Sequence, residues 1–229
     1  MRVLSDCLRA VDALSLVDVQ WVSRGILQFP FLPVVDNFFL REDPLQALRH
    51  GRFKRCPILL GSNHNEGSWF LIYEQSDRLT LERSEMSRVQ FVDAVTSLFF
   101  FYPQYRQELN STTAREAIVF RYTDWLTPND TVANVHGLEQ AIGDSSFLCP
   151  LNQFALQYAA VDGAAPVYTY FFTQRYSSNP WPTWMDVLHG DEVLFTFGQV
   201  LADGANFTDD ERRLSRKIMR YWTNFAKFG

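Results

Sequence analysis

Two side chains in this sequence have the chemistry of acyl transfer, and each follows a short apolar run. Glu66 stands in Gly61-Ser-Asn-His-Asn-Glu-Gly-Ser-Trp-Phe-Leu-Ile-Tyr, directly after Pro57-Ile-Leu-Leu. A carboxylate in such a turn can hold an imidazole in one tautomer and stabilise the imidazolium formed when a hydroxyl nucleophile loses its proton. A solvated turn glutamate, or a charge at a helix N-terminus, would read the same way. His189 stands in Pro180-Trp-Pro-Thr-Trp-Met-Asp-Val-Leu-His-Gly-Asp-Glu, a loop beyond the apolar run Val167-Tyr-Thr-Tyr-Phe-Phe-Thr. Imidazole, with an unperturbed pKa of about 6.5, shuttles protons near neutrality. A structural hydrogen-bonding role is the plain alternative for any single histidine. Carboxylate then histidine, each just past an apolar run, is the later part of the Ser…Asp/Glu…His order of α/β-hydrolase triads.

The nucleophile of such a triad is not evident in these residues. Gly143-Asp-Ser-Ser-Phe begins like a nucleophile elbow but lacks the closing glycine of Gly-x-Ser-x-Gly, and no His-Gly-Gly-Gly oxyanion segment occurs. With nothing in these residues for the acid and base to act on, the chain alone is expected to be inactive. His189-Gly-Asp-Glu is not the His-Glu-x-x-His zinc pattern, so neither a metal nor a cofactor is expected. His64, two residues before Glu66, is expected to face solvent.

These residues have to be positioned by strands and helices. Pro57-Ile-Leu-Leu and Val167 to Thr173 read as buried strands. Apolar spacings of three and four predict helices over Ser87–Val95, Thr113–Tyr122 and Phe154–Ala159. The segment from Thr208 opens with a capping signature, since Glu211 stands three residues on and cations follow. Leu214, Ile218, Met219, Trp222 and Phe225 then form one apolar face. Helices alternating with short apolar strands imply an α/β architecture with a largely parallel sheet, whose ligands gather beyond the carboxyl ends of the strands. No repeat, low-complexity tract or linker interrupts the chain, so residues 1–229 read as one unit.

Composition narrows the function classes. A net charge of −5 without a basic stripe excludes nucleic acid as the expected partner. No apolar run is long enough for a bilayer, and MRVLSDCLRA is too polar for a signal peptide's apolar region. Three sequons, at Asn110, Asn129 and Asn206, nevertheless tilt the reading towards a secreted protein. The odd set of cysteines, Cys7, Cys56 and Cys149, lacks metal-like spacing; Cys56 reads as a buried thiol, and Cys7 and Cys149 as half-cystines with partners outside the chain. The 20 Phe, 9 Tyr and 6 Trp suit either a packed core or an aromatic-lined pocket.

The chain resembles the cholinesterases of the type-B carboxylesterase family over nearly its whole length. The resemblance is carried by Phe31-Leu-Pro-Val-Val-Asp, the Gly61–Tyr73 stretch, His189-Gly-Asp-Glu-Val-Leu-Phe-Thr-Phe-Gly and Arg216-Lys-Ile-Met-Arg-Tyr-Trp. Gly25-Ile-Leu-Gln-Phe-Pro-Phe makes it most similar to the invertebrate members. The resemblance implies that residues 1–229 are the C-terminal portion of a single α/β-hydrolase domain, with an incomplete, mostly parallel sheet flanked by helices. It further implies a serine esterase acting on acetylcholine or related choline esters through a Ser-His-Glu triad, with Glu66 the acid, His189 the base and the serine upstream.

Other roles follow from the same resemblance. Trp69 and Phe70 correspond to an aromatic pair beside the choline site and acyl pocket, Tyr73 to the gorge wall and Trp21 to the peripheral rim. Leu27 and Phe29 correspond to the acyl pocket; Trp181 lines the choline site, and Trp184 belongs to the same aromatic segment. Cys7 and Cys149 correspond to disulfide cysteines whose partners lie outside the fragment. An extracellular, synaptic location is implied, and a homo-oligomer or a membrane anchor beyond the C-terminal end is allowed. Three departures stand out: Trp69 is bulkier than the Tyr or Phe usual there, Leu27 replaces an aromatic, and Asn37 replaces a glycine after Pro-Val-Val-Asp. A non-catalytic adhesion protein of the same fold and a broad-specificity carboxylesterase are the alternatives.

Overall fold

The structure is a computed structural model that describes residues 2–20, 31–75, 79–82, 84–101, 111–161 and 163–229. They fall into two compact units, residues 1–41 and 42–229. The first contains α1 (Arg2–Ala10) and α2 (Ala13–Asp18), the latter capped by Asp12, which accepts from the Ser15 N–H. Beyond them Asp36 Oδ1 accepts the backbone N–H groups of Phe38, Phe39 and Leu40. That turn places Asn37 at φ 62°, a left-handed conformation that asparagine tolerates and glycine takes freely. The substitution noted in the sequence therefore falls where backbone freedom is needed.

In the second unit, α3 (Pro44–Arg49) precedes β1 (Ile58–Asn63), which pairs in parallel with β2 (Val167–Phe172), from Ile58↔Val167 to Asn63↔Phe172. β1 runs three residues further than the apolar run suggested, because Gly61-Ser-Asn continues the ladder. Gly61 is required there: a Cβ would lie 2.4 Å from the Tyr170 ring and carbonyl. Past the strand ends a further parallel bridge joins Asn65 to Leu188. Parallel strands need a long crossover, and here it is a helical layer.

That layer begins with α4 (Ser68–Glu74), followed by α5 (Arg88–Phe101) and α6 (Thr112–Arg121). It ends with α7 (Thr131–Gly143) and α8 (Cys149–Ala159). Ser111 caps α6, and Asp130 caps α7 by accepting from the Val132 and Ala133 N–H groups. Between α7 and α8 the helix widens into a π turn, Asp144–Leu148. Pro150, just inside α8, has no N–H to donate to the preceding turn, and the widened turn accommodates that gap. Gly143-Asp-Ser-Ser-Phe is thus helical backbone rather than a strand-to-helix elbow.

After β2 come α9 (Asp191–Thr196) and α10 (Asp209–Phe228), with short 3₁₀ turns at Thr183–Met185 and Gln199–Leu201. Thr208 and Glu211 form the expected capping box. Glu211 also accepts from the Ser177 N–H and hydroxyl, at 2.5 and 2.8 Å, so the helix start is tied to the loop beyond β2. The apolar face of α10 packs through Ile218, Leu214 and Trp222 onto Phe172, Val187, Phe195 and Val200. Ile218, Phe172, Val187, Phe195 and Val200 are buried, and each contributes about 1.5–3 kcal/mol, while Leu214 and Trp222 are partly buried. Cys56, expected to be buried, is only half-buried, its backbone N–H and carbonyl both bonded to the Tyr158 hydroxyl. Among the described residues no helix is long and apolar enough to cross a membrane.

Candidate functional site: an acid–base pair beyond the parallel strands

The loop after β1 and the loop after β2 meet beyond the carboxyl ends of the strands. Asn65 N–H donates to the Val187 carbonyl at 2.9 Å, and Val187 N–H donates to Asn65 Oδ1 at 3.4 Å. Asn63 Nδ2 donates to the Leu188 carbonyl at 2.7 Å and to Glu192 Oε2 at 2.5 Å. These bonds set the two loops in register and bring Glu66 against His189.

Glu66 is buried at 6 % exposure and uses its two oxygens separately. Oε1 accepts the Asn63 N–H at 2.6 Å, and Oε2 meets His189 Nδ1 at 2.6 Å. A carboxylate can only accept, so Nδ1 carries the hydrogen and Nε2 is left with its lone pair. The hydrogen bond to Glu66 raises the His189 pKa; partial burial opposes this, and the charges of Glu66 and Glu192 add to it. The imidazole side chain remains 46 % exposed.

Aromatic rings surround the imidazole. Phe147 and Phe70 lie 4.8 and 5.4 Å from it, and the two phenyl rings stack at 5.4 Å. Trp69 meets Trp181 edge-on at 4.6 Å and Tyr73 at 5.4 Å. The loop carrying Trp181 is held by Arg175, which donates to the carbonyls of Trp181 at 2.5 Å and Asp186 at 2.7 Å. Trp184 instead turns towards the Leu81 carbonyl, 3.4 Å from its Nε1.

Glu66, His189, Trp69, Phe70, Tyr73 and Trp181 are thus brought into one locality. Trp21, Leu27, Phe29 and Asn110 lie outside the described residues. Asn129 and Asn206 are exposed, and Cys7 and Cys149 are exposed free thiols. His64 is half-exposed, and its Nδ1 sits 2.6 Å from Asn65 Oδ1 and 3.7 Å from Asp186 Oδ2. Among the described residues no cluster of His, Cys, Asp and Glu is placed to hold a metal ion. Sequence reasoning passed over Asn63, Asn65, Phe147 and Glu139. The signal was present for the first two, which stand in the same polar turn as Glu66.

The comparison that decides the family is a match to the model of the carboxylesterase family over residues 2–229. The chain belongs to the carboxylesterase family. That membership implies an α/β-hydrolase fold, of which the parallel strands and flanking helices described above are a part. Among curated relatives, acetylcholinesterase of Bungarus fasciatus is 38% identical over 229 residues, covering 99% of this chain and 36% of that protein. Acetylcholinesterase of Leptinotarsa decemlineata is 38% identical over 230 residues, 100% of this chain and 35% of that protein. For acetylcholinesterase of Danio rerio the values are 35% over 257 residues, 99% and 39%. A snake and a beetle protein are equally similar, so identity does not favour an invertebrate affinity. The carboxylesterase chain spans little more than a third of the length of the relatives it matches.

Proposed function

We propose that the protein to which this chain belongs is a serine esterase that hydrolyses acetylcholine or related choline esters. The observation that carries the reading is the 2.6 Å contact between buried Glu66 and His189 Nδ1, which leaves the lone pair on Nε2 of a half-exposed imidazole flanked by Phe70 and Phe147. A serine elsewhere in the protein attacks the ester carbonyl while His189 Nε2 takes its proton. Glu66 stays ionised and stabilises the imidazolium. Nε2–H then protonates the departing choline oxygen, leaving an acyl-enzyme. Water attacks that ester, gives a proton to Nε2, and the proton returns to serine as the carboxylic acid leaves.

Trp69, Tyr73 and Trp181 suit the choline end. A trimethylammonium group has no hydrogen-bond donor, and aromatic faces attract it by about 0.5–2 kcal/mol each. Exposed Asn129 and Asn206, in sequons, support passage through the secretory route, and Cys7 and Cys149 would there pair with cysteines outside this chain.

The test is hydrolysis by the full-length protein of a choline thioester and of an uncharged ester of the same acid, with His189→Ala as control. Preference for the choline substrate, lost in the variant, is expected. Equal rates on both esters would point to a broad carboxylesterase. No turnover of either would point to a non-catalytic adhesion protein.

A further inference from the structure

A second carboxyl lies behind the acid–base pair and has no role in the proton transfers above. Glu139, on α7, is buried at 3 % exposure. Among the described residues no cation pairs with it. Its Oε1 accepts the Gly67 N–H at 3.2 Å and its Oε2 accepts Asn65 Nδ2 at 3.3 Å. Gly67 and Asn65 are the two neighbours of Glu66 in the chain. Contact with α7 is close at this point, since a Cβ on Gly143 would stand 3.2 Å from Gly67 N and 3.7 Å from Glu66 Cβ. Asn65 passes the tether on, through its paired hydrogen bonds with Val187, to the loop that carries His189.

We infer that Glu139 is a positioning residue: its one carboxyl holds both neighbours of Glu66 and thereby sets the Glu66–His189 contact. Two N–H donors converge on it, so the position needs two acceptor oxygens, which a carboxylate has and an amide lacks. Hydrophobic substitution would leave the Gly67 N–H and the Asn65 amide buried without partners. Burial pushes the Glu139 pKa up to about 7; the bonds from Asn65 and Gly67 pull against this, and the charges of Asp144 and Asp186 add to it. A buried carboxyl without a counter-ion is costly, which argues for a role beyond filling space.

The inference rests on the reading of Glu66 and His189 as acid and base, and one experiment separates the two. In the full-length protein labelled with ¹³Cε1-histidine, the His189 resonance, assigned with His189→Gln, is titrated by NMR alongside thermal unfolding. Glu66→Gln is expected to lower the His189 pKa, because it removes the carboxylate hydrogen bond and the charge that raise it. Glu139→Ala is expected to remove at least half of that same shift, and Glu139→Gln, which keeps one acceptor, a smaller part. A His189 titration unchanged in Glu139→Ala, whatever the loss of thermal stability, would make Glu139 merely structural and overturn the inference. If the alanine variant does not fold, an unchanged titration in Glu139→Gln does the same. An unchanged titration in Glu66→Gln would remove the acid–base reading itself, and with it anything for Glu139 to position.

Discussion

Gly67 lies so close to Glu139 that a Cβ added to it would stand 2.1 Å from the Glu139 carbonyl oxygen and 2.9 Å from Gly143 N. Both obstacles are helical backbone, which cannot turn aside as a flexible side chain could. Gly67→Ala must therefore push the Glu66 loop away from α7. The expected cost is about 3 kcal/mol of stability, the upper range for overpacking, read as a fall in the unfolding midpoint. Esterase activity should fall with it.

Glu66→Gln tests the tautomer argument. An amide can present its NH₂ to Nδ1 and so favour the wrong imidazole tautomer while the packing is preserved. In the full-length protein, kcat for ester hydrolysis is expected to fall about 10⁴-fold, with the midpoint of unfolding shifted little by comparison. A loss below tenfold in steady-state assays would remove Glu66 from the proton-transfer chemistry.

Stability should depend on pH through Glu139. Its pKa is raised from 4.5 to about 7, so the folded state holds this proton more tightly than the unfolded state. Below about pH 4.5 both states are protonated and nothing is lost. Stability falls as pH rises between the two values, by on the order of 3 kcal/mol in total. Asp191, pushed up to about 6 by burial, acts in the same direction. Denaturant titrations from pH 4.5 to 8 should show a slope that Glu139→Gln reduces by about one proton without abolishing it.

Trp181→Ala is expected to weaken binding of tetramethylammonium by about 3- to 30-fold, the loss of one cation–π contact, and to raise KM for choline esters more than for an uncharged ester. Competition assays read both. An equal effect on the two esters would assign Trp181 to packing against Trp69 rather than to recognition of the cation.

Asp186 adopts φ 50°, ψ −120°, a region that favours glycine, three residues before His189. Asp186→Gly should relieve strain and stabilise the protein by about 1 kcal/mol, measurable by thermal unfolding. The loop is otherwise held by Arg175, whose bond to the Asp186 carbonyl does not depend on the side chain.

Glu66 and His189 were legible as candidates, one directly after the first apolar run and the other at the end of the loop beyond the second, and the wrap of helices between those strands was legible in part. α5, α6, α8 and α10 show apolar spacing. α7 has the same spacing in Val135, Leu138 and Ile142 but was passed over, and it buries the polar Asn134 and Glu139 beside them. Glu139 was missed with it. The sign that could have found it is a lone acid directly after Leu138 and two residues before Ala141. Asn63 and Asn65 could be read as polar turn residues, but their partners Leu188, Glu192 and Val187 lie more than a hundred positions away. Only the fold of the long loop after β2, which returns to the end of β1, brings those together.

The isolated bridge from Asn65 to Leu188 sets Glu66 and His189 side by side, each one residue beyond it, although 123 positions separate them. A slip in the pairing of two extended segments is not graded. It comes in whole-residue jumps of about 3.3 Å, and each jump turns the side chains to the opposite face. A one-step slip would present Asn65 or Gly67, neither able to serve as the carboxylate, where His189 now finds Glu66. Such a slip would abolish the pair outright, whereas loosening without a slip, as expected in the Glu139 variants, would only weaken it.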